Sequence, residues 1–373
     1  MALLARAREL EAAGRDVIHL EVGEPDFPTP EPVLAAGKQA LTQGHTHYTP
    51  AGGLPELREA IAGWYRQRFG LEVAPERILA TPGASGALQL LMAMLVDPGQ
   101  QVLVPDPGYP CNRHFLELVG GAPKPLVLEP EQGFRATAEA LQAQWSEEVV
   151  AAIVASPDNP TGNVLAAREL EALAAVARAR RGALVVDEIY QGLVHEGEEH
   201  TVLALEPDAL VINSFSKFFG MTGWRLGWLV APAELVPAME RMAQNFFLAP
   251  PTPSQHAAMA AFEPDTLEEL ERRQRVLDER RRCLLGALER VGLPVMGNPR
   301  GAFYVYVDIS GFTDDSFSFC RELLEREAVA VTPGVDFGHH HQPQRYLRIA
   351  YTCERERIEC AVERLQQFLE YHT

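Results

Sequence analysis

Ala183-Leu184-Val185-Val186-Asp187-Glu188-Ile189-Tyr190 is a short apolar run that stops at two adjacent acids. It lacks polar alternation, as expected of a strand buried on both faces. The pattern recurs on either side. Upstream, Val102-Leu103-Val104 ends at Pro105-Asp106-Pro107-Gly108, and Val149 to Ala155 ends at Ser156-Pro157. Downstream, Ala209 to Ile212 ends at Asn213-Ser214, and Arg225 to Val230 ends at Ala231-Pro232. Helical patterns lie between, such as Ala166 to Arg180, rich in Ala, Leu, Arg and Glu. Strands alternating with helices predict an α/β fold with a mostly parallel sheet. Ligands of such sheets bind beyond the carboxyl ends of the strands. Asp187, Ser214 and Lys217 are therefore expected at one site, although they are far apart in sequence.

The 373 residues imply one large domain and a smaller one. Pro264 to Arg290 is charged and helical, and reads as a long connecting helix. Beyond it come a strand from Ala302 to Val307, a helix near Ser316 to Glu327, a strand around Tyr346 to Ala350 and a helix from Glu354. This reads as a small α+β domain. Residues 1–25 begin helical and continue as a strand, Val17 to Val22.

Hydrophobic residues make up 47%, enough for a sizeable core. Net charge is −18 and the pI is near 5.1, which argues against nucleic acid as a partner. An anionic ligand must then be held by local donors. The five cysteines form no C-x-x-C pair, which points to a reducing cytoplasm without disulfides or structural zinc. The longest apolar stretch, Leu88 to Val96 with Gln89 inside it, is too short to span a membrane, and no signal peptide is visible. His339-His340-His341 are adjacent in a loop and are read as exposed rather than as metal ligands.

Only three of the 33 basic residues are lysines. Lys38 reads as a solvated helix charge and Lys124, between two prolines, as part of a surface turn. Lys217 stands among aromatics in Ser214-Phe215-Ser216-Lys217-Phe218-Phe219-Gly220. It is either a strand-end charge or a chemically used amine. Four segments could build a site around it. Thr81-Pro82-Gly83-Ala84-Ser85-Gly86 runs into a helix beginning near Ser85, where free N–H groups attract anions; the plainer reading makes Ser85 an N-cap. Arg225, flanked by Trp224 and Leu226, is expected to be partly buried and to need an anion: a phosphate or an internal carboxylate. Asp187 after its strand either pairs with a cation or caps a helix. Ser156-Pro157-Asp158-Asn159-Pro160-Thr161-Gly162 has the composition of a tight turn.

In this order and spacing, the four segments resemble the class I/II aminotransferases, fold-type I enzymes dependent on pyridoxal 5'-phosphate (PLP). Gly23-Glu24-Pro25-Asp26-Phe27, Tyr48 to Arg58, Pro107-Gly108-Tyr109-Pro110, Val331-Thr332-Pro333-Gly334 and Leu347 to Tyr351 agree. The resemblance implies a large domain, residues 26–265, with a mostly parallel seven-stranded sheet sandwiched by helices. Residues 1–25 with 266–373 would form the small domain. It implies amino transfer from an L-amino acid to a 2-oxo acid by ping-pong chemistry, with Lys217 forming the internal aldimine and then shuttling the proton. Asp187 would pair with the ring nitrogen, Tyr190 and Asn159 would hydrogen-bond the ring's phenolic oxygen, and Tyr109 would stack on the ring. Ala84, Ser85, Ser214 and Arg225 would hold the phosphate. Tyr48 would reach the phosphate of a second copy, making a homodimer with shared active sites. Arg348 would clamp the substrate carboxylate, helped by Asn159 and the backbone of Gly23.

Two departures from the family's pattern stand out. The family usually carries a longer segment ahead of Met1 to Arg8, so Met1 is expected to mark an internal start or a shortened substrate gate. No arginine lies between Asn245 and Gln255, where some dicarboxylate-specific relatives have one. The nearest rival function is a PLP-dependent carbon–sulfur β-lyase of the same fold.

Overall fold

The computed structural model describes residues 2–371; Met1 lies outside them. Seven strands form the main sheet: β1 (Ile78–Thr81), β2 (Gln101–Asp106), β3 (Ala122–Val127), β4 (Val149–Ala155), β5 (Ala183–Asp187), β6 (Leu210–Ser214) and β7 (Gly227–Val230). Their order is β1-β7-β6-β5-β4-β2-β3. All neighbours pair in parallel except at β7, which runs against both β6 and β1.

The unbroken apolar runs have a simple cause. Ala151, Ile153, Val185, Leu210 and Ile212 join an apolar cluster with helices Gly83–Leu95 and Val236–Phe247. Ala152, Val154, Leu184, Val186 and Val211 join another, with helices Pro55–Phe69 and Ala167–Ala179. Successive residues of a strand point to opposite faces, and here both faces are covered.

The strand around Lys124 departs from the expected turn. Lys124 lies within β3, paired in register with Leu103. Pro123 and Pro125 are two apart, so their missing amides fall on one side of the strand. An edge strand tolerates this because that side has no neighbour to receive a hydrogen bond.

The remainder builds around a four-stranded antiparallel sheet, in which Tyr304–Asp308 pairs with Tyr346–Ala350. The long helix spans Pro264–Val291. The expected Val17 to Val22 strand is shorter, Ile18–His19, pairing in parallel with Val329–Ala330. His339 and His340 are exposed, yet their loop is tied down. The His339 amide donates to both oxygens of Asp106 at 3.1 and 3.0 Å, and His340 Nδ1 lies 2.9 Å from Asp106 Oδ2. The antiparallel sheet's loop is thus anchored to the end of β2. Among the described residues, no helix is long and apolar enough to cross a membrane.

Candidate active site

β4 and β5 end level, because Ala155 registers with Asp187, and β6, whose Ile212 registers with Asp187, runs two residues further to Ser214. A cavity of about 320 Å³ opens beyond them. Its wall brings together Gly23, Ala84, Ser85, Tyr109, Asn159, Asp187, Tyr190, Lys217, Arg225 and Arg348. Two expected residues stand elsewhere. Tyr48 is 81% exposed and outside the wall. Ser214 is buried behind it, its hydroxyl 2.9 Å from Ser216 Oγ and 3.2 Å from the Leu226 carbonyl. Ser216 itself lines the cavity.

One end of the cavity is built for an anion. The helix starts at Gly83 with Pro82 at the cap, so Ser85 is its third residue rather than its cap. The first amides of a helix have no partner within it and carry its positive end. Arg225 faces them, exposed instead of partly buried, its Nη1 donating to the Thr222 carbonyl at 3.0 Å. Gly83 has φ +71°, and a Cβ there would lie 2.7 Å from Arg225 Nη2. Gly83→Ala should cost roughly 1–2 kcal/mol of stability through backbone strain. Displacing the guanidinium should weaken binding of a phosphate group at this helix start about tenfold. Titrating the protein with a phosphate-bearing ligand and following its thermal unfolding check both effects.

At the other end, Arg348 is fixed from several sides. Nη2 donates to the Glu21 carbonyl at 2.6 Å and Nη1 to Asn159 Oδ1 at 3.1 Å. Its guanidinium lies 4.3 Å from the Tyr304 ring centroid and 4.9 Å from that of Phe337. Its buried Nε has no hydrogen-bond partner among the described residues.

Between the two ends stand an amine and a carboxylate. Lys217 Nζ donates to the Gly23 carbonyl at 2.7 Å. Burial pulls its ammonium down from the ordinary lysine range to about 8, with Arg348 and Arg225 adding to the effect and Glu24 opposing it. Asp187 Oδ1 accepts the Ile189 amide at 3.0 Å, closing a turn after β5 instead of capping a helix. Burial pushes its carboxyl up to about 6.

Comparison with known proteins gives this geometry a family. The sequence profile of the class I and II aminotransferases matches residues 15–365. The chain belongs to that family. It is 39% identical to the valine–pyruvate aminotransferase of Mycobacterium tuberculosis, across 97% of this chain and 94% of that one. The crystal structure of an aminotransferase from the same organism superimposes with a TM-score of 0.96 at 37% identity, covering 100% of this chain and 96% of the other. The aspartate aminotransferase of Thermus thermophilus, solved with maleate, gives 0.92 at 36% identity, covering 98% and 95%.

The protein is thus a PLP-dependent transaminase of fold type I. The cavity fits that cofactor on its own chemistry. A helix start with a glycine-gated arginine suits a phosphate. A buried carboxylate suits a basic ring nitrogen, and a desolvated amine suits an aldehyde. The motifs do not mark Ser216 or Tyr304 as site residues. Ser216 stood within the quoted lysine segment, two residues beyond Ser214. Tyr304 sits in an apolar strand that reads as core, and nothing in its pattern separates it from its neighbours.

Proposed function

We propose that Lys217 holds PLP covalently and that amino transfer from an L-amino acid to a 2-oxo acid takes place in the cavity around it. The observation carrying this reading is Lys217 and Asp187 facing one buried pocket between an anion cradle and Arg348. Bound PLP supplies the electron sink for charge released at the substrate's Cα. This chain's residues do the rest. Asp187, set against the ring nitrogen, would keep it protonated while the cation keeps the carboxylate ionised. Tyr190 and Asn159 hydrogen-bond the ring oxygen, and Tyr109 covers the ring face. Ala84, Ser85 and Arg225 hold the phosphate, with Ser216 on the cavity wall in place of the buried Ser214. Arg348, with Asn159 and the Gly23 backbone, grips the substrate's α-carboxylate through a bidentate fork. With the amino acid bound, Lys217 Nζ would take the proton from Cα, a task its desolvated amine suits near neutral pH.

The working unit is a homodimer, in which Tyr48 serves the phosphate of the second copy. Its exposure in the single chain, alongside that of Phe246 and Leu248, supports this. Residues 26–265 act as the large domain and residues 1–25 with 266–373 as the small one, a division supported by the pairing of Ile18–His19 with Val329–Ala330. All five cysteines are free, in keeping with a cytoplasmic enzyme.

The donor carries an uncharged side chain. Among the described residues the cavity's cations are Lys217, Arg225 and Arg348. Each already has a role, and none supplied by the same chain remains for a second carboxylate. Mixing the PLP-loaded protein with a panel of amino acids and following cofactor absorbance tests this. Valine-like amino acids should convert the cofactor to its amine form. Conversion by aspartate and glutamate alone would defeat the side-chain assignment. Pyruvate and ammonia released without a second substrate would point to the β-lyase instead.

A further inference from the structure

Tyr304 occupies the point where the site's three working parts meet. Its hydroxyl lies 3.1 Å from the Tyr190 hydroxyl. A Cβ on Gly23 would stand 2.4 Å from that same hydroxyl, so Tyr304 backs the segment whose carbonyl holds Lys217. Its ring lies 4.3 Å beneath the Arg348 guanidinium. Tyr190 and Tyr304 are both buried, and no other side-chain hydrogen bond is made by the Tyr304 hydroxyl among the described residues.

Each phenol has one hydrogen to give. If Tyr190 spends its hydrogen on the cofactor's ring oxygen, its own oxygen must be the acceptor toward Tyr304. The chain of donation then runs from Tyr304 to Tyr190 to the ring. Burial raises the Tyr304 phenol above its ordinary range, which keeps its hydrogen in place. A hydroxyl that accepts a hydrogen bond becomes a better donor.

We infer that Tyr304 is a positioning residue: its hydroxyl aims and strengthens the Tyr190 donor, and its ring supports the Arg348 clamp from below. The inference rests on the reading that Tyr190 meets the ring oxygen. With PLP attached, the Lys217 nitrogen and the ring oxygen would share a proton. A donor pulling on that oxygen weakens their hold on it. Loss of donor strength therefore raises the pH at which the proton leaves.

The test is a pH titration of cofactor absorbance in the PLP-loaded protein. The comparison covers wild type, Tyr304→Phe, Tyr190→Phe and the double variant. Tyr304→Phe keeps the ring and removes only the hydroxyl. It should raise the midpoint by several tenths of a pH unit, and Tyr190→Phe should raise it further. The double variant should match Tyr190→Phe, since a relay with its last member gone has nothing to transmit. Glu24, Asp158, Asp187, Arg225 and Arg348, the charged groups around this nitrogen, are the same in all four proteins. A midpoint that moves in Tyr190→Phe but not in Tyr304→Phe would overturn the relay alone, as would two shifts that simply add. A midpoint unmoved in Tyr190→Phe would bring down the Tyr190 reading and the relay with it. The ring's part is read separately. Tyr304→Leu should lower amino-acid affinity several-fold relative to Tyr304→Phe, which keeps the ring; equal affinities in the two variants would refute ring support.

Discussion

Lys217→Ala should abolish covalent attachment of PLP and lower the rate of amino transfer on the order of 10⁴-fold or more. Two losses combine in this variant. The cavity no longer has an amine to bond the cofactor's aldehyde, and no base stands over the substrate's Cα. The fold should survive, because Nζ makes one side-chain hydrogen bond, to the Gly23 carbonyl at 2.7 Å, and the stem lines an open cavity. PLP should still bind through its phosphate, since the helix start and Arg225 are untouched. Absorbance spectra, an equilibrium titration with PLP and single-turnover kinetics separate these effects. A variant that keeps the wild-type cofactor spectrum would place the attachment at another residue.

Arg348→Leu should raise the apparent KM for the amino acid on the order of 10²-fold, with PLP affinity within a few-fold of wild type. The guanidinium is held in place before substrate arrives, by the Glu21 carbonyl at 2.6 Å, by Asn159 Oδ1 at 3.1 Å and by the Tyr304 and Phe337 rings. Little ordering remains to oppose binding, so most of the contact energy appears as affinity. Arg348→Lys should recover only a small part of the loss, because an ammonium lacks the planar fork a carboxylate matches. Steady-state kinetics with PLP-saturated proteins measure this. Equal losses in PLP affinity and substrate affinity would place Arg348 in the cofactor site instead.

The strands of the main sheet differed in how plainly the sequence announced them. Those buried on both faces, such as Val149 to Ala155, read correctly because two helical layers demand unbroken apolar residues. β1 is only four residues long and merges with the phosphate segment, and β3 hides behind prolines that only an unpaired edge tolerates. At the site, residues at strand ends and helix starts were legible because their chemistry is local: Asp187 stops a strand and Gly83 to Ser85 starts a helix. Arg225 was misjudged in exposure, since its apolar neighbours turn inward while its own backbone, at φ +54°, turns the side chain out. Tyr304 was invisible because its role depends on Tyr190, Gly23 and Arg348, which meet it only after the chain has folded.

The three lysines, Lys38, Lys124 and Lys217, allow one decisive measurement. The protein is incubated with PLP, reduced with borohydride to make the attachment permanent, digested and mapped by mass. The cofactor should be found on the peptide containing Lys217, with the Lys38 and Lys124 peptides unmodified. A label on either of those two, or an unmodified Lys217 in an active protein, would contradict the assignment of Lys217 as the residue that holds the cofactor.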